Sequence, residues 1–171
     1  MIVRIVITDA NILIDLIKSE LAVILFRSGL FRFKTTDFIF EELYEVQKLH
    51  LQPLVESGFL IILESGQHEL HEIFKLKQNN KGLSFEDCSA FYFASKFDAI
   101  LLTGDARLRR HCTHNQIEVH GLIYLFDLIV DKNLISYTEA CSKLSYLSKI
   151  NPRLPHNEVE VRLKKWNISN F

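Results

Sequence analysis

Ile5-Val6-Ile7-Thr8-Asp9-Ala10-Asn11-Ile12-Leu13-Ile14-Asp15 is the stretch on which the reading of the fold turns. Residues 2–7 form an apolar, β-branched run broken only by Arg4, the pattern of a strand covered on both faces. Directly after it the period changes. Ile12, Leu13, Leu16 and Ile17 fall on one side of a helix that starts near Asn11, and Asp9 stands at the junction.

The same alternation recurs outward along the chain. Further strands are predicted at residues 31–36, 59–63, 99–103 and 117–119. Helices are predicted at 37–48, 67–78, 84–96 and 104–113, with Asn79-Asn80-Lys81-Gly82 as the stop of the second. Strands that alternate with helices need crossover connections, which dictates an α/β fold with a mostly parallel five-stranded sheet and helices on both faces. After His120 the alternation ends. Residues 122–131, 136–149 and 157–167 read as three consecutive helices, with Pro152 and Pro155 in the loop before the last. The expected organisation is one domain over 1–171, with a core at 1–120 and a helical extension at 121–171.

Bulk properties agree with a globular protein. The 171 residues suffice for one domain with a real core, and 48% hydrophobic with 24% charged residues is ordinary for such a domain. Three scattered cysteines, Cys88, Cys112 and Cys141, make neither a disulfide framework nor a zinc spacing and fit a reducing cytoplasm. Arg4, Asp9 and Asp15 interrupt the apolar N-terminus too early for a secretory core, and no membrane span is expected. A net charge of −1 leaves nucleic-acid binding to local patches. Arg107, Arg109 and Arg110 form one, and Arg162, Lys164 and Lys165 another.

Ligands of open α/β sheets bind beyond the carboxyl ends of the strands, so the acids there are the candidates for chemistry. Asp9 follows the first strand and Asp105 the fourth. Glu42 lies one turn into the helix after the second strand, and Asp87 in the first turn of the helix before the fourth. Each also has a plain structural role available: Asp9 and Asp105 as helix caps, Asp87 in a capping box with Ser84, Glu42 as a surface acid beside Glu41 and Glu45. Together they are more informative, because gathered carboxylates repel one another unless a hard divalent cation compensates.

The four segments resemble the PIN-domain family in order and spacing over residues 1 to about 120. The opening stretch is similar to that family's first strand, first catalytic Asp and the polar residue two positions on. Phe40-Glu41-Glu42-Leu43 resembles the helix bearing its Glu, which usually precedes a leucine and so favours Glu42 over Glu41. Leu83-Ser84-Phe85-Glu86-Asp87-Cys88-Ser89-Ala90 and Leu101-Leu102-Thr103-Gly104-Asp105-Ala106-Arg107-Leu108-Arg109 resemble the third and fourth motifs. The resemblance implies a three-layer α/β/α fold and metal-dependent hydrolysis of RNA phosphodiesters. It implies Mg²⁺ or Mn²⁺, as one ion or two, on Asp9, Asp87 and Asp105. Glu42 would bind metal or orient water, and Asn11 and Thr103 would hydrogen-bond the ligands or phosphate oxygens. Arg107, Arg109 and Arg110 would hold the RNA backbone. It further implies a cytoplasmic toxin of a toxin–antitoxin pair, with a protein antitoxin and a homodimer as partners.

Other chemistries find less support. His68-Glu69-Leu70-His71-Glu72 lacks the two histidines four apart that a metalloprotease helix needs, and no P-loop, GxGxxG or GxSxG occurs. Of the alternatives with an acidic Mg²⁺ pocket, a haloacid-type phosphatase wants Asp-x-Asp after the first strand where this chain has Asp9-Ala10-Asn11. A phosphoacceptor receiver domain wants a Lys ending the last strand where it has Val119-His120. A non-catalytic binding module of the same fold is the other alternative. The apolar residues Leu122, Ile123, Leu125, Phe126, Ile129 and Val130 form a face broader than a surface helix requires, expected to serve association at least in part.

Overall fold

The first apolar run becomes β1 (Ile5–Thr8) in the computed structural model, which describes residues 3–168; Ile2, counted in that run, lies outside them. The other strands are β2 (Arg32–Thr36), β3 (Leu60–Leu63), β4 (Ile100–Leu102) and β5 (Val119–His120). Their order is β3-β2-β1-β4-β5, and every neighbouring pair is parallel. The order reverses at β1, between β2 and β4, so the crevice for a ligand opens at the carboxyl ends of β1 and β4. Val6 and Ile7 of β1 and all of β4 are buried, as a strand covered on both faces must be.

Ten helices are described: α1 (Ala10–Lys18), α2 (Ala22–Arg27), α3 (Asp37–Glu42), α4 (Glu45–Glu56), α5 (Gln67–Asn79), α6 (Phe85–Lys96), α7 (Ala106–His114), α8 (Leu122–Asp131), α9 (Tyr137–Ile150) and α10 (His156–Ile168). Flanking the parallel sheet, they make the α/β/α arrangement expected from the alternation.

The helix expected at 37–48 is two. α3 ends at Glu42 because Leu43 turns extended, with φ −73° and ψ 142°, and buries its side chain in the core. α4 restarts after Tyr44, whose backbone N–H donates to the Gln47 side chain at 2.9 Å, and runs past Pro53 to Glu56. α2 is a second element the sequence reading left unmarked.

The tail continues the core. Leu122, Ile123, Leu125, Phe126, Ile129 and Val130 are all buried by the chain itself, so the expectation that this face serves association is corrected. Phe126 stacks on Trp166 of α10, with ring centroids 6.3 Å apart. Polar ties complete the attachment. The Asn151 amide donates to the buried Asp15 carboxylate at 2.7 Å, Lys143 donates to the Ser19 carbonyl at 2.9 Å, and Arg162 grips Asp127 through two nitrogens.

Candidate metal centre and nucleic-acid interface

At the end of β1 the backbone leaves the sheet and enters α1, and Asp9 is the residue between. Its Oδ1 accepts the Ala10 N–H at 2.8 Å, so Asp9 does cap the helix. Its Oδ2 accepts two further hydrogen bonds, from the Asn11 amide at 2.7 Å and the Thr103 hydroxyl at 2.6 Å. A cap alone needs neither. Thr103 is wholly buried at the end of β4, and its Oγ1 accepts the Asp105 N–H at 3.0 Å. Asn11 turns its carbonyl oxygen to the Gly104 N–H at 3.0 Å. A Cβ on Gly104 would come within 3.3 Å of that oxygen, so a larger residue there would press on the Asn11 side chain. These bonds join the ends of the two central strands around one carboxylate.

Asp9 is 6% exposed, and its pKa is pushed up to about 6. Burial is the largest cause, and the charges of Asp87 and Glu42 add to it, while the Thr103 and Ala10 hydrogen bonds oppose it. The Glu42 carboxyl is also raised, through desolvation first and then the charges of Glu86 and Asp87. Asp9, Glu42 and Asp87 therefore stand in one another's fields. Asp105 joins them through Thr103, whose Oγ1 accepts its N–H; its Oδ1 accepts the N–H groups of Arg107 and Leu108, both at 2.8 Å, and caps α7.

The elements that carry Glu42 and Asp87 are pinned by a hydroxyl relay that the sequence reading missed. The Ile39 N–H donates to Thr36 Oγ1, Thr36 and Ser89 hydroxyls pair at 2.7 Å, and Ser89 donates to the Glu86 carbonyl at 2.7 Å. Thr36 and Ser89 are fully buried, so the start of α3 and the first turn of α6 are fixed to β2. The signal available was Ser89, a lone polar residue between Cys88 and the apolar stretch Ala90-Phe91-Tyr92-Phe93. Ser84 and Asp87 form the expected capping box, with bonds of 2.8 and 3.0 Å.

The donor chemistry suits a hard divalent cation. All four side chains offer carboxylate oxygens, and each keeps capacity beyond its structural bonds. Among the described residues, nothing donates to Asp105 Oδ2, Asp87 Oδ1 or the Glu42 carboxylate, and Asp9 Oδ1 has one of its two lone pairs in use. Among the described residues, no three carboxylate, histidine or cysteine side chains stand close enough in this conformation to chelate a single ion. The charges that raise Asp9 and Glu42 are those a cation would relieve.

The three arginines of α7 separate. Arg109 donates to the Thr103 carbonyl at 3.3 Å, directly behind the acids. With the exposed Arg110, it lines an open hollow of about 520 Å³ that His114 completes. Arg107 points to the Gly82 carbonyl at 3.5 Å, away from that hollow. A second cavity, of about 470 Å³, opens on the other side of Arg109, between the acidic site and the tail.

A five-stranded parallel sheet of this order, flanked by helices and carrying acids at the ends of β1 and β4, is a PIN-like α/β/α fold. The chain belongs to the PIN-domain family: the family model described as PIN domain matches residues 5–168, tail included. No curated protein matches it. No helix among the described residues is long and apolar enough to cross a membrane.

Proposed function

We propose that the chain is a metal-dependent endoribonuclease and the toxin of a toxin–antitoxin pair, working in the cytoplasm. The observation that carries the reading is Asp9. A helix cap has no need of two side-chain donors on one oxygen, or of a burial that, with the charges of Asp87 and Glu42 added to it, raises its pKa to about 6. Family membership supports the nuclease activity and the divalent metal.

On this reading Asp9, Asp87 and Asp105 hold Mg²⁺ or Mn²⁺. When bound, such an ion lowers the pKa of a coordinated water and neutralises charge on the scissile phosphate. The protein does the rest. Thr103 and Asn11 fix the Asp9 carboxylate by donating to Oδ2, which leaves Oδ1 toward a ligand. Glu42, with no bond to restrain it and a raised pKa, orients the attacking water and takes its proton. Arg109 and Arg110 hold the RNA backbone beside the acids, and Arg107 contributes at the Gly82 edge. Asn11 also weighs against a haloacid-type phosphatase: its amide already donates to Asp9, where that chemistry needs a second acid.

The antitoxin and a homodimer are the partners proposed. Val46 and Leu49, one turn apart on α4 and 66% and 70% exposed, offer the apolar surface at which either would be sought. Incubating the full chain with RNA oligonucleotides in Mg²⁺, Mn²⁺ or EDTA tests the activity. Internal cleavage that requires metal supports the reading, and metal-independent or absent cleavage by pure protein sinks it.

A further inference from the structure

The cavity of about 470 Å³ next to the acidic site is not explained by metal chemistry. Its lining includes Asn11 and Thr103, which hold Asp9 in place, with Gly104 beside them, and residues of the tail. The volume falls within the roughly 300–1,000 Å³ usual for small-ligand sites. The lining is of two kinds. Ile12, Leu122 and Leu154 supply apolar surface, and Tyr124 supplies an aromatic ring stacked on His120 at 3.8 Å between centroids. Polar groups close the rest. Asp127 is held by Arg162, and Asn151 is held by Asp15, so both present fixed oxygen and nitrogen atoms. Arg109 and Arg153 also line this cavity and, among the described residues, make no ion pair. Of the carboxylates in the lining, Asp127 and Glu158 are paired with Arg162, and Asp15, bonded by Asn151, feels the Arg153 charge.

A planar, amphipathic ring with hydrogen-bonding edges and an anion beside it is the ligand such a lining recognises. Arg109 also lines the open hollow on the other side, with Arg110 and His114. Through Arg109, common to both, one strand can run its phosphates over that basic hollow and turn a base into the cavity, where Asn11 and Thr103 bring it next to Asp9. We propose that this cavity binds one unstacked nucleotide of a single-stranded polynucleotide, the nucleotide next to the scissile phosphate. The base lies against Tyr124 between the apolar wall and the Asp127 and Asn151 edges, and Arg109 and Arg153 take its phosphate. This inference rests on the nuclease reading, and it gives the tail a direct part in substrate choice. Gly121 belongs to the same device: a Cβ there would lie 3.2 Å from Arg109 Nη1, so glycine leaves the guanidinium its place.

Two measurements on the 171-residue chain separate the inference from the reading beneath it. The first titrates the ribo- and deoxyribonucleoside 5′-monophosphates against isotope-labelled protein in EDTA, followed by NMR. Saturable shifts at Tyr124, Gly121 and Asn151 are expected, weakened at least tenfold in Arg153→Glu, an exposed position, and in Tyr124→Ala. The second compares kcat/KM on a single-stranded RNA with that on the same RNA made abasic at the nucleotide beside the cleaved bond. Both variants should lose at least tenfold on the intact RNA, and Tyr124→Ala should lose little on the abasic one, which has no base to place. Monophosphate binding at the cavity without cleavage of any polynucleotide would support the pocket and refute the nuclease. RNA cleavage with no monophosphate shifts, or with Arg153→Glu and Tyr124→Ala as active as the parent, overturns the pocket and leaves the nuclease standing.

Discussion

At the scale of single residues, the question is how a buried acid can serve both structure and chemistry. Asp9 caps α1 with one oxygen and takes Asn11 and Thr103 on the other. Asp9→Asn and Asp105→Asn keep a residue that caps helices well, so both variants should fold. On the proposed function each should lose cleavage by about 100-fold or more, the rate equivalent of a few kcal/mol of charge stabilisation. Circular dichroism and an RNA digestion on the same samples check both halves, and near-parental activity in either would remove that residue from the site. The raised pKa of Asp9 also fixes a sign. Its folded value, about 6, lies above the roughly 3.9 of an unfolded Asp, so the folded state binds the proton more tightly. The protonated form stabilises fully below about pH 4. That contribution is lost as pH rises through about 6, on the order of 3 kcal/mol in all. In EDTA, the stability of the parent should therefore fall between pH 4 and 7. Asp9→Asn should lack that slope, and Mg²⁺ should restore stability above pH 6. A parent protein with the same denaturation midpoint at pH 4.5 and 7 would contradict the account.

At the scale of elements, legibility followed the range of the cause. β1, α5, α6 and α8 were legible because a hydrophobic period and a local stop signal specify them; residues 122–131 match α8 end to end. The break at Leu43 was not, because it arises when a leucine leaves the helix for the core, a long-range demand that overrides a continuous helical pattern. For the site, Asp9, Asp105 and the Ser84–Asp87 capping box could be placed from their distance to strand ends. The Thr36–Ser89 hydroxyl pair could not, since it joins residues 53 apart. That pair carries its own prediction. Ser89→Ala leaves the buried Thr36 hydroxyl without its acceptor, which should cost about 1–3 kcal/mol. Because the relay sets α3 and α6 against β2, activity should fall further than stability explains, through misplacement of Glu42 and Asp87. Urea denaturation and RNA cleavage well below the melting point test this, and an Ser89→Ala protein with parental stability would show the relay to be idle.

At the scale of the whole molecule, we propose that residues 1–120 do not fold without the tail, so that the chain is one unit and not a core with an appendage. Six apolar side chains of α8 are buried against the rest of the protein, and Leu144, Leu147 and Trp166 follow them into the same cluster. At about 2 kcal/mol for each buried aliphatic or aromatic side chain, α8 alone contributes on the order of 10 kcal/mol, an upper bound. Domain stability as a whole is about 5–15 kcal/mol, so the remainder has little left. Removal would also strip Asn151 from Asp15, leaving a buried carboxylate whose pKa is already raised by desolvation without its one side-chain donor. A chain ending at His120 should therefore be insoluble or melt without cooperativity. Phe126→Ala offers the milder test, with an expected loss of about 3–5 kcal/mol for a ring this buried. A soluble, monomeric 1–120 fragment that unfolds cooperatively within a few degrees of the full chain would show the opposite. The tail would then be a separable cover for the cavity beside the acids.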